Sequence, residues 1–211
     1  MLYIESMRSL KIAALLCILI SGFAFSHESS LQPAKRPSRL FMAADLGLSY
    51  SHYGYPSKEF NGLGPMVGFK FGGSTRGQLF SFFGTAKFAG VFGSMDEVDA
   101  SGYRFFLGAG TAFYPFDSSD SPMHGVFVGV AFGLMAVAAD WDDVPVYIDR
   151  AHIEEQGFSY ELELGKTWAI SEKWRLGFAA VAAIDLPIRF GEGTYECTLY
   201  SFGASLRLSR K

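Results

Sequence analysis

Four histidines, His27, His52, His124 and His152, are the side chains best placed by type to move protons near neutral pH. His27-Glu28-Ser29 puts a base, an acid and a hydroxyl in three consecutive residues. Nucleophilic catalysis requires such groups to be held in hydrogen-bond reach by a rigid frame. This triplet stands in a polar stretch with no periodicity, so no frame is expected. Ser51-His52 is a second pair that a neighbouring Asp could complete, although an imidazole at a strand end accounts for it without chemistry. His124 falls in a short turn and His152 in a long loop, and no nucleophile motif accompanies either. An enzyme is not expected. Asp140-Trp141-Asp142-Asp143, with Asp149, Glu154 and Glu155, suggests a cation site, but it lacks the ligand spacing of an EF-hand loop. A solvated acidic loop is the expectation, with no metal and no cofactor.

A third set of charges is the informative one: Asp45, Lys70, Lys87, Arg104, Glu161, Glu163, Arg175, Asp185 and Arg207. Each lies inside a segment whose residues alternate in character with a period of two, the signature of a β-strand. Eight such segments run from Leu40 to Leu208. In the first, Leu40, Met42, Ala44, Leu46, Leu48 and Tyr50 oppose Asp45, Gly47, Ser49 and Ser51. In the sixth, Phe158, Tyr160, Leu162 and Leu164 oppose Ser159, Glu161, Glu163 and Gly165. The others span Leu63–Phe71, Phe80–Phe92, Tyr103–Phe113, Val126–Val137, Trp174–Asp185 and Tyr200–Leu208. Pro65 makes the second the least regular, because proline cannot donate to a ladder.

All nine charges sit on the parity rich in small residues, while the bulky parity carries only Lys166, near a strand end. A soluble barrel would place charge outside and large apolar groups inside. Here the assignment is reversed: apolar outside, polar inside, as a membrane requires of a closed barrel. At about ten residues or slightly more, the segments match the length of a tilted membrane-crossing strand. The inward charges must be paired or wetted, since an unpaired buried ion costs several kcal/mol. Glu161 and Glu163 face the same interior as Lys87, Arg104 and Lys70, and any of these could be their partners. A lumen plugged by this polar network is expected, because eight strands leave an interior only wide enough for side chains; a gated narrow channel is the alternative.

Gly72–Gly77, Pro115–His124 and Ser171–Lys173 are expected as short turns. Tyr53–Asn61, Ser94–Gly102, Trp141–Gly157 and Pro187–Glu196 are expected as longer, more acidic loops at the opposite end. Trp168 and Trp174 bracket the Ser171–Lys173 turn, and Trp141 falls at the other end, so the three tryptophans are expected as headgroup-level anchors.

The start of the chain agrees. Arg8 and Lys11 precede the apolar run Ile12–Ile20, and Ala24-Phe25-Ser26 supplies small residues for cleavage, so residues 1–26 are expected as a signal peptide. Residues 27–38, polar and with two prolines, form a flexible leader, and residues 39–211 the barrel. Removing residues 1–26 subtracts Arg8, Lys11, Glu5 and Cys17, leaving 16 basic and 20 acidic residues and one cysteine, Cys197. An internal disulfide is therefore ruled out in the mature chain, and the acidic balance argues against a nucleic-acid partner. Phe at 21 residues and Gly at 24 supply the bulky and the small face respectively.

On these residues the chain resembles the eight-stranded bacterial outer-membrane barrels, such as the outer-membrane protein A and X types, over about Leu40–Lys211. The final strand, Gly203-Ala204-Ser205-Leu206-Arg207-Leu208, keeps the glycine and the alternation of that class but lacks its terminal aromatic, ending Ser209-Arg210-Lys211. The resemblance implies an all-β, antiparallel up-and-down transmembrane barrel in the outer membrane of a Gram-negative bacterium. It implies termini in the periplasm, insertion by the barrel assembly machinery, and contact with lipid and lipopolysaccharide. The role expected is structural, or interaction with an extracellular ligand through the outward loops; a narrow porin-like pore and a lipid-modifying enzyme are the alternatives.

Overall fold

Alternation with a period of two gives each strand one bulky and one small face, and eight such strands close only by pairing the first with the last. The computed structural model describes residues 39–55, 58–75, 79–95, 98–116, 121–141, 152–188 and 198–210. In chain order the strands are β1 (Arg39–Tyr55), β2 (Lys58–Ser74), β3 (Phe80–Met95), β4 (Val98–Phe113), β5 (Val126–Trp141), β6 (His152–Ala169), β7 (Trp174–Pro187) and β8 (Thr198–Arg210). Each pairs antiparallel with the next, and β8 returns to β1 through pairs such as Asp45↔Arg207 and Ser51↔Ser201. The chain is thus a closed eight-stranded up-and-down barrel. The expected signal peptide and leader, residues 1–38, lie outside the described residues.

Arg39 and Arg210 stand at the same end, called here the terminal end; the far end carries the β1–β2, β3–β4, β5–β6 and β7–β8 connections. Strands run from 13 residues in β8 to 18 in β6, beyond the ~9–11 that cross a bilayer. Most of the extra length is at the far end, and it corrects the expected boundaries. Tyr53–Asn61 and Ser94–Gly102, expected as loops, are mostly paired strand: Tyr53 faces Phe60 and Ser94 faces Asp99 across their hairpins. The reason is that Tyr53, Phe60, Val91 and Ala100 bury apolar side chains inside the barrel, so the ladder continues as long as there is interior to fill. Nor does the terminal end carry only short turns, since 114–125 separate β4 from β5. Pro65 pairs with Leu48 of β1, but the β2–β3 ladder skips from Leu63↔Phe92 to Met66↔Ala89. The missing proline N–H opens the ladder there without shifting the register.

The outer surface is a continuous apolar belt. Leu46 and Leu206, neighbours across the β1–β8 seam, are each 66 % exposed, and Phe69, Phe92, Ile184, Leu63 and Tyr160 are more than half exposed. A water-soluble monomer does not carry a contiguous apolar surface on this scale; hydrocarbon is the solvent that fits it, and the chain is a transmembrane barrel. No helix among the described residues is long and apolar enough to cross a membrane; the crossing is made by strands.

Candidate functional site

The lumen holds the charged side chains, and small residues on neighbouring strands make their room. A Cβ on Gly129, the register partner of Glu163, would stand 3.2 Å from Glu163 Oε2, and one on Gly68 would stand 3.2 Å from Lys87 Cγ. Among the described residues, eight of the buried charges form two chains, each built on one glutamate of β6. Glu163 accepts from Lys70 Nζ and from Arg207 Nη2. Arg207 also holds Asp45 through two parallel bonds, Nε to Oδ1 and Nη2 to Oδ2, both 2.7 Å. Two residues along β6, Glu161 accepts from Lys87 Nζ at 2.5 Å and from Arg104 Nη1 at 3.3 Å. Arg104 grips Asp185 through Nε and Nη2, both 2.8 Å, and donates from Nη2 to Ser159 Oγ at 2.8 Å.

These eight groups, Asp45, Glu161, Glu163 and Asp185 against Lys70, Lys87, Arg104 and Arg207, sum to zero charge and are all buried. Bidentate Arg–carboxylate geometry is the form in which buried ion pairs recover their desolvation cost. Between the two chains lies a void of about 10 Å³ lined by Lys70, Thr85, Lys87, Glu161 and Glu163. Thr85 Oγ1 is buried there without a hydrogen-bond partner in the structure, and the space suits one water molecule.

Bulky apolar side chains also face inward, and this corrects the expectation of a uniformly small and polar interior. At the terminal end Phe41, Phe83, Tyr114 and Phe127 pack with Ala43, Ala112 and Ala179. At the far end Tyr53, Phe60, Met135, Val137 and Leu199 pack with Val91, Ala100 and Ala139. The ionic belt lies between these two layers, and rings of the terminal-end layer face it. Lys70 Nζ stands 4.6 Å over the Phe83 ring and the Arg207 guanidinium 4.9 Å over Phe127, distances suited to cation–π attraction. Phe127 fits because its register partner is Gly165, on which a Cβ would fall 2.5 Å from Phe127 Cζ. The strand patterns do contain this signal: Phe83, Phe106 and Phe127 sit on the small-residue parity, each facing or flanked by glycine.

Arg175 stands apart from the two ionic chains. It is buried at the terminal end, and neither its Nε nor its Nη2 has a hydrogen-bond partner. Trp168 and Trp174 face outward at that end; Lys166 Nζ lies 5.3 Å from the Trp168 ring and donates to Pro122 O at 2.6 Å. Trp141 ends β5 opposite Ala100, and its side chain lies outside the described residues. Among the described side chains, the far-end outer face carries Tyr50, Tyr103, Tyr160 and Tyr200. Phe88 stacks on Tyr103 at 5.9 Å and His52 on Tyr200 at 4.6 Å.

His52 Nδ1 lies 2.5 Å from Asn61 Oδ1, which also accepts from Tyr50 Oη at 2.9 Å. Ser51 is fully buried in the lumen, its Oγ without a partner, so strand alternation sends the two halves of the Ser51-His52 pair to opposite faces. The acidic residues 142–149 lie outside the described residues, as do His27 and the side chain of His152. No cluster of three or more potential metal ligands occurs among the described residues.

No protein-family model matches the chain, and no curated protein matches its sequence. Solved structures do match in fold. The Neisserial surface protein A, NspA, is similar at 13 % identity with a TM-score of 0.50, over 83 % of this chain and 99 % of that one. The attachment invasion locus protein Ail of Yersinia pestis gives 12 % identity and 0.48, over 79 % and 97 %. OprG of Pseudomonas aeruginosa gives 8 % and 0.42, over 82 % and 96 %. The likeness is one of architecture, the closed eight-stranded barrel of bacterial outer membranes.

Proposed function

We propose that this chain is a closed, non-conducting outer-membrane barrel that acts at its far end, as a structural or surface-exposed interaction protein. The observation that carries this reading is the lumen. A charge-neutral belt of mutually paired side chains lies between two apolar layers, Phe41–Phe83–Tyr114–Phe127 and Tyr53–Phe60–Met135–Val137–Leu199. An ion entering would lose its hydration among apolar groups and then compete with ion pairs already made, so the interior is a packed core. What remains for function is the part that emerges from the membrane.

In this reading both chain ends face the periplasm, and the extended far-end strands stand outside. Outward tyrosines at the far end and Trp168 and Trp174 at the terminal end lie in the two headgroup layers. Lipid and lipopolysaccharide contact the belt, the barrel assembly machinery inserts it, and an extracellular ligand would meet the far-end hairpins. No catalysis belongs to this reading, since Ser51 and His52 face opposite ways. Purified protein in planar bilayers is expected to give a baseline without steady channels. Steady open channels that Glu163→Gln alters would overturn the closed-lumen reading in favour of a narrow pore for small solutes.

A further inference from the structure

The outer face of the terminal end differs from one side of the barrel to the other. On β2 to β5 the large side chains described there are apolar, with Phe71, Phe80, Phe82, Phe113 and Val128 exposed. On β6 to β8 and the turn between β6 and β7 they are aromatic and cationic. Trp168 and Trp174 are exposed, and Lys166, Lys173 and Arg210 stand among them. Glu172 is the one acid described in this sector, so three cations against one carboxylate leave it with a net positive charge. The far end has the opposite sign: among the described side chains its exposed charges are Glu59, Asp99, Asp140 and Glu154, all acidic.

Two of the three cations are held in place against tryptophan. Arg210 is the register partner of Trp174, and its guanidinium lies 5.9 Å from that ring. Lys166 Nζ lies 5.3 Å from the Trp168 ring and donates one N–H to Pro122 O, which leaves the ammonium two more to donate. Among the described residues no carboxylate pairs with Lys166, Lys173 or Arg210. At the edge of an apolar belt such side chains lay their stems on the protein and carry their charge to the headgroup layer, where indole rings also settle. Phosphate is the acceptor that this layer supplies, and it suits both the guanidinium fork and the ammonium. A girdle that only anchored the barrel would place its cations all round the rim. Here every described cation on the outer face falls on three adjacent strands and their turn.

We infer that the β6–β8 sector of the terminal rim binds an anionic phospholipid, its headgroup phosphate taken by Arg210 and the neighbouring lysines beside Trp168 and Trp174. A zwitterionic headgroup brings a cation of its own and gains less from the positive sector, so charge complementarity selects the anionic lipid. The inference rests on the barrel spanning a bilayer. It depends neither on a closed lumen nor on which way the barrel faces.

The test uses the full-length chain with Trp141→Phe, so that fluorescence reports Trp168 and Trp174 alone. The protein is folded into vesicles of phosphatidylcholine and phosphatidylglycerol in equal amounts, with one lipid or the other brominated on its acyl chains. Quenching by brominated phosphatidylglycerol is expected to exceed that by brominated phosphatidylcholine, to the extent of about a fivefold preference, the effect of one basic residue beside an anionic surface. Replacing both Lys173→Gln and Arg210→Gln is expected to make the two lipids quench equally, with heat-modifiable gel mobility showing that the barrel still forms. Should that pair fold poorly, added sodium chloride gives the same reading on the parent, where screening is expected to erase the preference. Equal quenching by the two lipids in the parent overturns the inference. So does a preference that survives both the paired substitution and the salt. A preference that inorganic phosphate removes at an ionic strength where sodium chloride does not also overturns it, by assigning the sector to a free anion.

Discussion

Glu163→Gln isolates what the ionic belt contributes. The substitution keeps the shape of the side chain and removes its charge. Glu163 has two partners, and they are not equally dependent on it. Arg207 retains both bonds to Asp45 at 2.7 Å. Lys70 has no other ion-pair partner among the described residues, and its side chain is only 2 % exposed. The loss therefore falls on Lys70, which becomes a buried ammonium without a counter-charge beside the Phe83 ring. Breaking a buried pair on one side costs about 3–5 kcal/mol, whereas replacing both partners by groups of similar volume is often neutral. Glu163→Gln alone is expected to destabilise the barrel by ~3–5 kcal/mol, and adding Lys70→Met is expected to return it to within about 1 kcal/mol of the parent. Urea unfolding in lipid vesicles, followed by tryptophan fluorescence and by heat-modifiable gel mobility, measures both, with stability taken from linear extrapolation. A single-variant loss below about 1 kcal/mol would mean that the belt is wetted rather than desolvated, in the range of exposed pairs. A double variant no more stable than Glu163→Gln would mean that the cost does not come from the orphaned lysine.

The same unfolding assay reads the apolar layers. Phe127→Ala empties the space beside Gly165 and removes the ring under Arg207, and is expected to cost about 3–5 kcal/mol as a large-to-small core change; a loss under about 1 kcal/mol would show that the terminal-end layer is not packed. Orientation is checked on intact cells: added protease is expected to cut within residues 142–151 and to spare Ser171–Lys173, and the opposite pattern would place the chain ends outside.

Much of the architecture is local in origin, and that part is legible in the chain. Side-chain direction alternates strictly along a strand, so the parity of Asp45, Lys70, Lys87, Arg104, Glu161, Glu163, Arg175, Asp185 and Arg207 places them all on one face. Bulky residues on the other parity then fix which face meets lipid, and eight such segments of membrane-crossing length leave closure as the only way to satisfy every edge. The boundaries were less legible. Tyr53, Phe60 and Ala100 continue the alternation past the charged positions, but polar neighbours such as His52, Asn61 and Ser94 make those stretches resemble loops until the interior they fill is known.

Partnership inside the lumen belongs to the tertiary structure alone. Asp45 and Arg207 are 162 residues apart and meet only because β8 closes on β1. That Glu161 takes Lys87 and Arg104 while Glu163 takes Lys70 and Arg207 depends on the stagger of eight strands, which no single segment encodes. The same stagger brings Phe127 over Gly165 and so turns a nominally small-residue face into two apolar layers. It also leaves Arg175 beyond reach of every carboxylate that pairs in the belt. Sequence alone assigned these side chains to the interior, because orientation is set by each strand's own pleat. Which of them neutralise one another, and which one is left over, is set by distances across the lumen, and those exist only once the barrel has closed.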